Sequence, residues 1–291
     1  MSDTVSVRVP AGACDCHMHV FGDPDVYPPA PVRAYTPRPA TFESYRAMAR
    51  PLGLERVVIV QPSAYGVDNR CMLDVLRRSD PTLRAVAVID ETTPESDLDA
   101  FHALGVRGVR LNLATLAAPT AERGRALLKA TATRVARLGW HVQVYARPAL
   151  LAPMLADVQN LATPVVVDHM GGADAALGAD QPVVRELAAL LTREQVWVKV
   201  SGATRVVADA SLFPAGLALM RALIAANPAR IVWGTDWPHI GPNEPGAPKP
   251  VVFLPIDNAG LLKLLIEACN EDTALLRRIL ADNPATLYGF D

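Results

Sequence analysis

Residues 108–146 read GVRLNLATLAAPTAERGRALLKATATRVARLGWHVQVYA. A short Val- and Leu-rich run gives way to a polar turn. Sixteen residues with apolar side chains at helical spacing follow and stop at Gly139, and a second β-branched run opens at His141. Strand, helix and strand in this order form a parallel pair joined by a right-handed crossover. The unit recurs along the chain. Comparable runs are ACDCHMHV (13–20), RVVIVQ (56–61), RAVAVID (84–90), PVVVDHM (164–170), VWVKVSG (196–202) and RIVWGTDW (230–237). With the two already quoted they make eight. Helix-like segments such as 43–53, 95–105 and 212–227 lie between them and close at Gly or Asn, the usual C-terminal stop. Eight strand–helix units predict an α/β fold, a (β/α)8 TIM barrel. An open doubly wound sheet that binds nucleotides needs a Gly-rich turn after the first strand, and DCHMHVFGDP (15–24) supplies none.

The bulk composition agrees with that reading. A chain of 291 residues, 51% of them hydrophobic, can bury the core of one large barrel, so residues 1–291 are expected to form a single domain. A formal net charge of −2 leaves no basic footprint for nucleic acid. No apolar run is long enough to span a membrane, and the first twenty residues lack the pattern of a secretory signal. A cytoplasmic enzyme with a small-molecule substrate is expected, its oligomeric state unread. The four cysteines, Cys14, Cys16, Cys71 and Cys269, are then reduced thiols. Strict alternation along the first strand puts Cys14 and Cys16 on the face opposite Asp15, His17 and His19, so both thiols are read as core.

Of six histidines, His102 falls within a helix-like segment and His141 at the start of a strand, both structural positions. His17, His19, His169 and His239 instead fall at or just after the carboxyl ends of strands one, six and eight, where barrels carry their chemistry. His17 and His19 share one side of a strand about 6.5–7 Å apart. That spacing suits clamping a metal or gripping two ends of one substrate group. Asp236, in TDWPH, can ligate a metal or take a proton from water. Arg110 and Arg205 lie near strand ends and can hold a carboxylate. Pro-rich stretches after strands one and eight (21–41 and 238–255) are expected to wall the site. Asn69 is placed to cap the helix that begins RCMLDVL.

DCHMHV, VVDHMGG, GTDWPH and the closing DNPATLYGF together resemble the amidohydrolase superfamily of the amidohydrolase 2 type. More closely they resemble the branch of 2-pyrone-4,6-dicarboxylate lactonase and the sugar-acid lactone enzymes. The resemblance runs from Ala13 to Phe290. It implies Asp236, His17, His19 and His169 as catalytic residues. It implies Arg110, Arg205, Tyr35, Ser63, Tyr65, Tyr145 and His239 as substrate contacts. Binuclear members carry a bridging carboxylate on strand four and a histidine on strand five. Here those strands offer Arg110 and Asn112, and Gln143 and Tyr145, so a two-metal site is not expected. The branch implies no obligatory cofactor; a single zinc ion, if bound, would take His17, His19, His169 and Asp236.

The activity expected is hydrolysis of a small carboxylated or sugar-acid lactone, as in carbohydrate or aromatic catabolism, by water that Asp236 activates. The alternatives are a zinc-dependent decarboxylase of the same superfamily, a lactone isomerase, and a barrel that binds without catalysis. Zinc content and carbon dioxide release discriminate the first. Failure to use water as final acceptor discriminates the second. The third gives no reason for a carboxylate base beside paired imidazoles.

Overall fold

The structure is a computed structural model that describes residues 9–115, 120–202, 213–241 and 250–291. Its strands are β1 (Cys14–Met18), β2 (Arg56–Val60), β3 (Leu83–Ala87), β4 (Val106–Asn112), β5 (His141–Tyr145), β6 (Val165–Val167), β7 (Val196–Ser201) and β8 (Ile231–Gly234). All pair in parallel in the order β1 to β8. The ends of the sheet meet. Asp236 N donates to His17 O at 2.8 Å and His19 N donates to Trp237 O at 2.8 Å, so the segment after β8 pairs with β1. The expected (β/α)8 barrel is what forms.

Helices α1 (Phe42–Ala49), α2 (Arg70–Leu76), α3 (Glu95–Leu104), α4 (Ala121–Val135), α5 (Pro148–Leu155), α6 (Pro182–Leu190), α7 (Phe213–Ala226) and α8 (Asn258–Ala268) follow the strands in turn. The local chemistry of α4 shows why they start and stop where they do. Thr120 Oγ1 accepts from Arg123 N at 3.2 Å to cap it. Its last turn tightens and ends on Gly139, at φ 67. Asn69 does not cap α2 as expected. Its amide instead donates to Val67 O and Val88 O (2.9 and 2.8 Å) and accepts from Val88 N (3.0 Å), tying the loop after β2 to that after β3. No helix among the described residues is long and apolar enough to cross a membrane.

Alternation sorts each strand into two faces. Val142 and Val144 of β5, for example, join the shell beneath the helices. A second cluster fills the barrel with Cys14, Cys16, Val58, Val60, Val86, Val166, Trp197 and Val232, closed below by Tyr288 and Phe290. The closing DNPATLYGF motif is therefore the barrel's floor. Asn283 Nδ2 fastens it to Pro228 O and Ile231 O at 2.8 and 2.6 Å. Arg84 holds it through Tyr288 O and Gly289 O at 3.1 and 2.6 Å. His141 lies at this end, edge-on to Tyr288, and His102 accepts from Trp140 Nε1 at 3.0 Å, so both take the structural places expected.

One expectation fails in a way that matters. The cysteines are buried core thiols, but they do not lie opposite the histidines. The β1–β2 register slips between Asp15 and Met18, so that β1 carries an extra residue there. This bulge reverses the alternation. Cys14 and Cys16 point into the barrel before it; His17 and His19 point into the barrel after it; Asp15 and Met18 face the outer layer. Gly234 makes room for the extra residue, since a Cβ there would lie 2.5 Å from His17 N and 2.7 Å from His17 Cβ. Gly234→Ala is expected to cost about 1–3 kcal/mol of stability, the usual range for overpacking, read as a lower urea midpoint. An unchanged midpoint would show that the bulge yields without strain.

Candidate active site

The mouth of the barrel is assembled from the bulge outward. Asp15, pointing away from the axis, binds four donors: Thr235 Oγ1 (2.6 Å), Thr235 N (2.9 Å), His17 N (3.1 Å) and Tyr45 OH of α1 (3.1 Å). Burial pushes its carboxyl up to about 6 against the pull of those donors. This carboxylate locks the bulge to the turn that carries Asp236, and Thr235 Oγ1 in turn accepts from Trp237 N at 3.1 Å. Asp236 has φ 64, His169 φ 52 and His239 φ 65. Left-handed backbone at a non-glycine residue costs about 1–2 kcal/mol. Three such residues at one barrel mouth mark a place where geometry is held at the expense of local stability.

Three imidazoles converge on one carboxylate oxygen. His19 Nε2, His17 Nε2 and His169 Nε2 lie 3.5, 3.6 and 4.0 Å from Asp236 Oδ1, all four residues fully or almost fully buried. Each ring is steered from its other nitrogen. His19 Nδ1 lies 2.7 Å from Val60 O, and because a carbonyl only accepts, the proton is on Nδ1. His169 Nδ1 lies 3.0 Å from Ser201 Oγ. His17 Nδ1 lies 3.2 Å from Lys199 Nζ and 3.4 Å from Asp168 Oδ1. His17 Nδ1 thus faces a donor and an acceptor together, and its Nε2 is turned towards Asp236. Burial and then Lys199 hold His17 well below the ordinary imidazole range, overcoming Asp168, so the ring is neutral.

Beneath the histidines is a buried ionic layer. Asp168 Oδ2 accepts from Gln143 Nε2 (2.9 Å) and Arg110 Nε (3.2 Å), and its Oδ1 lies 3.4 Å from Lys199 Nζ. Lys199 also donates to Gln143 Oε1 at 2.9 Å. Burial alone would raise the Asp168 carboxyl; Lys199, His17 and Arg110 outweigh it and hold the group well below the usual carboxylate range. Burial lowers Lys199 despite Asp168 beside it.

The residues expected from the sequence divide into those at the centre and those around it. His17, His19, His169 and Asp236 meet. Tyr145 lies edge-on to His169, its ring centre 5.2 Å away. His239 Nε2 contacts Asn258 Oδ1 at 2.8 Å, and its backbone N donates to Asp236 O at 2.9 Å. Arg110 is bound to Asp168 and lines a cleft of about 430 Å³ that Ser63 also borders. Tyr65 OH accepts from Gly22 N at 3.1 Å, and both Tyr65 and Tyr35 pack against Phe21, positions that staple the first long loop. Arg205 and residues 242–249 of the second Pro-rich stretch lie outside the described residues. Asp15, Asp168 and Lys199 were passed over. Alternation in VWVKVS was the available signal for Lys199, because it turns an ammonium into the barrel.

The donor set fits one divalent cation at the Asp236 end. Bonds of about 2.0–2.1 Å in a tetrahedron put ligand atoms about 3.3 Å apart, close to the separations from Asp236 Oδ1. His17, Asp168 and His169 form a second possible group. It fits poorly, because Asp168 is already engaged by Lys199 and Arg110.

Comparison with known proteins supplies the family. The amidohydrolase family model matches residues 14–290. The chain belongs to the amidohydrolase family. It is 34% identical to a 2-pyrone-4,6-dicarboxylate hydrolase of Comamonas testosteroni, covering 97% of this chain and 91% of that protein. It is 32% identical to a 4-sulfomuconolactone hydrolase of Rhizobium radiobacter, covering 99% and 93%. Among solved structures, a "probable 2-pyrone-4,6-dicarboxylic acid hydrolase" from Acinetobacter baumannii with citric acid bound superposes with a TM-score of 0.80 at 28% identity, covering 96% of this chain and all of that one.

The ionic layer makes a separable prediction. Breaking a buried pair by removing one partner costs about 3–5 kcal/mol. Lys199→Met is expected to cost that much in urea unfolding, and the double variant with Asp168→Asn is expected to cost less than the two single changes added. Strict additivity would mean that Lys199 and Asp168 do not act as a pair.

Proposed function

We propose that this protein is a lactone hydrolase, opening a small carboxylated or sugar-acid lactone by attack of water. The observation that carries this is the convergence of three imidazoles on Asp236 Oδ1. The two curated lactone hydrolases aligned over almost the whole chain support it.

Substrate binds with its carbonyl among the imidazoles. His17 presents its Nε2 proton to the carbonyl oxygen and stabilises negative charge as it develops there. Asp236 takes a proton from water as the water oxygen bonds to the carbonyl carbon. Collapse of the tetrahedral intermediate breaks the bond to the ring oxygen, and Asp236 returns the proton to that oxygen. The product is the ring-opened hydroxy acid. Arg110, fixed by Asp168 through Nε, holds a substrate carboxylate on the cleft side, with Arg205 as its partner from the sequence.

A zinc ion, when bound by His17, His19, His169 and Asp236, would supply further polarisation of the carbonyl. The scheme above uses the chain's own donors. The four thiols, buried and free of disulfides, fit a cytoplasmic enzyme.

Asp236→Asn is expected to lower turnover by about 10²–10⁴-fold, the usual share of a general base, with an unchanged circular dichroism spectrum. The assay is acid release from a panel of carboxylated and sugar-derived lactones, with product identity by mass spectrometry. A folded variant with full turnover sinks the scheme; a rearranged lactone or carbon dioxide as product replaces hydrolysis with isomerisation or decarboxylation. Wild-type protein stripped by a chelator and shown free of metal by elemental analysis is expected to retain turnover. Loss restored by zinc would assign carbonyl polarisation to the cation instead.

A further inference from the structure

The cleft beside Arg110 has a chemistry of its own. It is bordered by Arg110 of β4, by Gln61 after β2, by Val88 and Ile89 after β3, and by Leu127 and Ala130 of α4. At about 430 Å³ it lies within the range of small-molecule sites. Its one cation at the inner end is Arg110. The lining is mainly aliphatic, with Ser63, Asn112 and Thr131 as neutral polar groups, and it includes the acidic residues Asp90 and Glu91. Arg134 also borders the cleft, but its guanidinium is held by Glu95 Oε1 at 2.9 Å and by the backbone carbonyls of Asp90 and Thr93. A ligand filling this space meets a positive charge at one end and apolar surface with negative charge at the other.

We infer that the substrate is a lactone with a single carboxylate, seated at Arg110, and an uncharged arm that runs over β3 and β4 to α4. That arm is apolar along its length. This rests on the lactonase reading and narrows it. The second carboxylate of a dicarboxylate lactone would meet aliphatic walls and two acidic side chains in this cleft.

The test compares δ-lactone monocarboxylates whose arm is hydrogen or n-propyl with the corresponding lactone dicarboxylate. Hydrolysis is read as kcat/KM, and binding of the ring-opened product acids is read separately by calorimetry. The n-propyl compound is expected to exceed the unsubstituted one at least tenfold by both readouts. The dicarboxylate is expected to be the weakest of the three. Ala130→Trp, which fills the outer cleft from an exposed helix position, is expected to bring the propyl-to-hydrogen ratio to near one. Equal values across the arms, or preference for the dicarboxylate, overturn the inference. Product binding with the expected ratios but no turnover of any lactone leaves the cleft assignment standing and removes the lactonase reading. Neither binding nor turnover across the series removes both.

Discussion

The mouth of this barrel depends on one extra residue in β1. Without the slip between Asp15 and Met18, a strand that packs Cys14 and Cys16 into the barrel would turn His17 and His19 out under the helices. The bulge is kept in place from two sides. The Asp15 carboxylate accepts from the backbone of His17 and from both the backbone and hydroxyl of Thr235, and Gly234 gives the bulged backbone space to sit. The same carboxylate therefore sets the positions of the histidines on β1 and of the turn after β8 that bears Asp236. First and last strands are joined at the point where they are chemically needed together.

Burying so many ionisable groups is unfavourable unless each is matched. The layer formed by Asp168, Lys199, Arg110 and Gln143 meets that condition by mutual contact, each charged group lying against an opposite charge or an amide dipole. It also acts on the residues above it. Lys199 disfavours a proton gain by His17. Asp168 fixes Arg110 through Nε, so the guanidinium is aligned before any substrate arrives. A rigid ionic floor thus supports a mouth with strained backbone, in keeping with the general division between a barrel's stable body and its reactive end.

The barrel was legible because period-2 runs and helical stretches alternate eight times, and that pattern survives ignorance of every contact. The central four residues were legible because histidines and Asp236 fall at strand ends. What escaped was whatever broke or hid in the regular pattern. A bulge leaves no mark in alternating apolar residues, so Cys14 and His17 were assigned to opposite faces. Lys199 stands in a run of valines and reads as a solvated residue unless the strand is known to be buried on both sides. Asp168 was in view beside His169, but its role comes from Arg110 and Lys199, far away in the chain. Asn69 obeys the preference for helix caps in type and place, yet its amide finds better partners across the neighbouring loop.

The two aspartates of the mouth show how one scaffold can give the same side chain different work. Asp168 has both oxygens committed: Arg110 and Gln143 on one, Lys199 and His17 around the other. Those partners suppress its affinity for a proton, which a base must have. Asp236 stands beyond the end of β8 on a left-handed backbone and turns Oδ1 towards the imidazoles of His17, His19 and His169. Proton gain at Asp168 would dismantle the layer that positions Arg110 and His17. The base proposed for the reaction is the carboxylate that stands outside that layer.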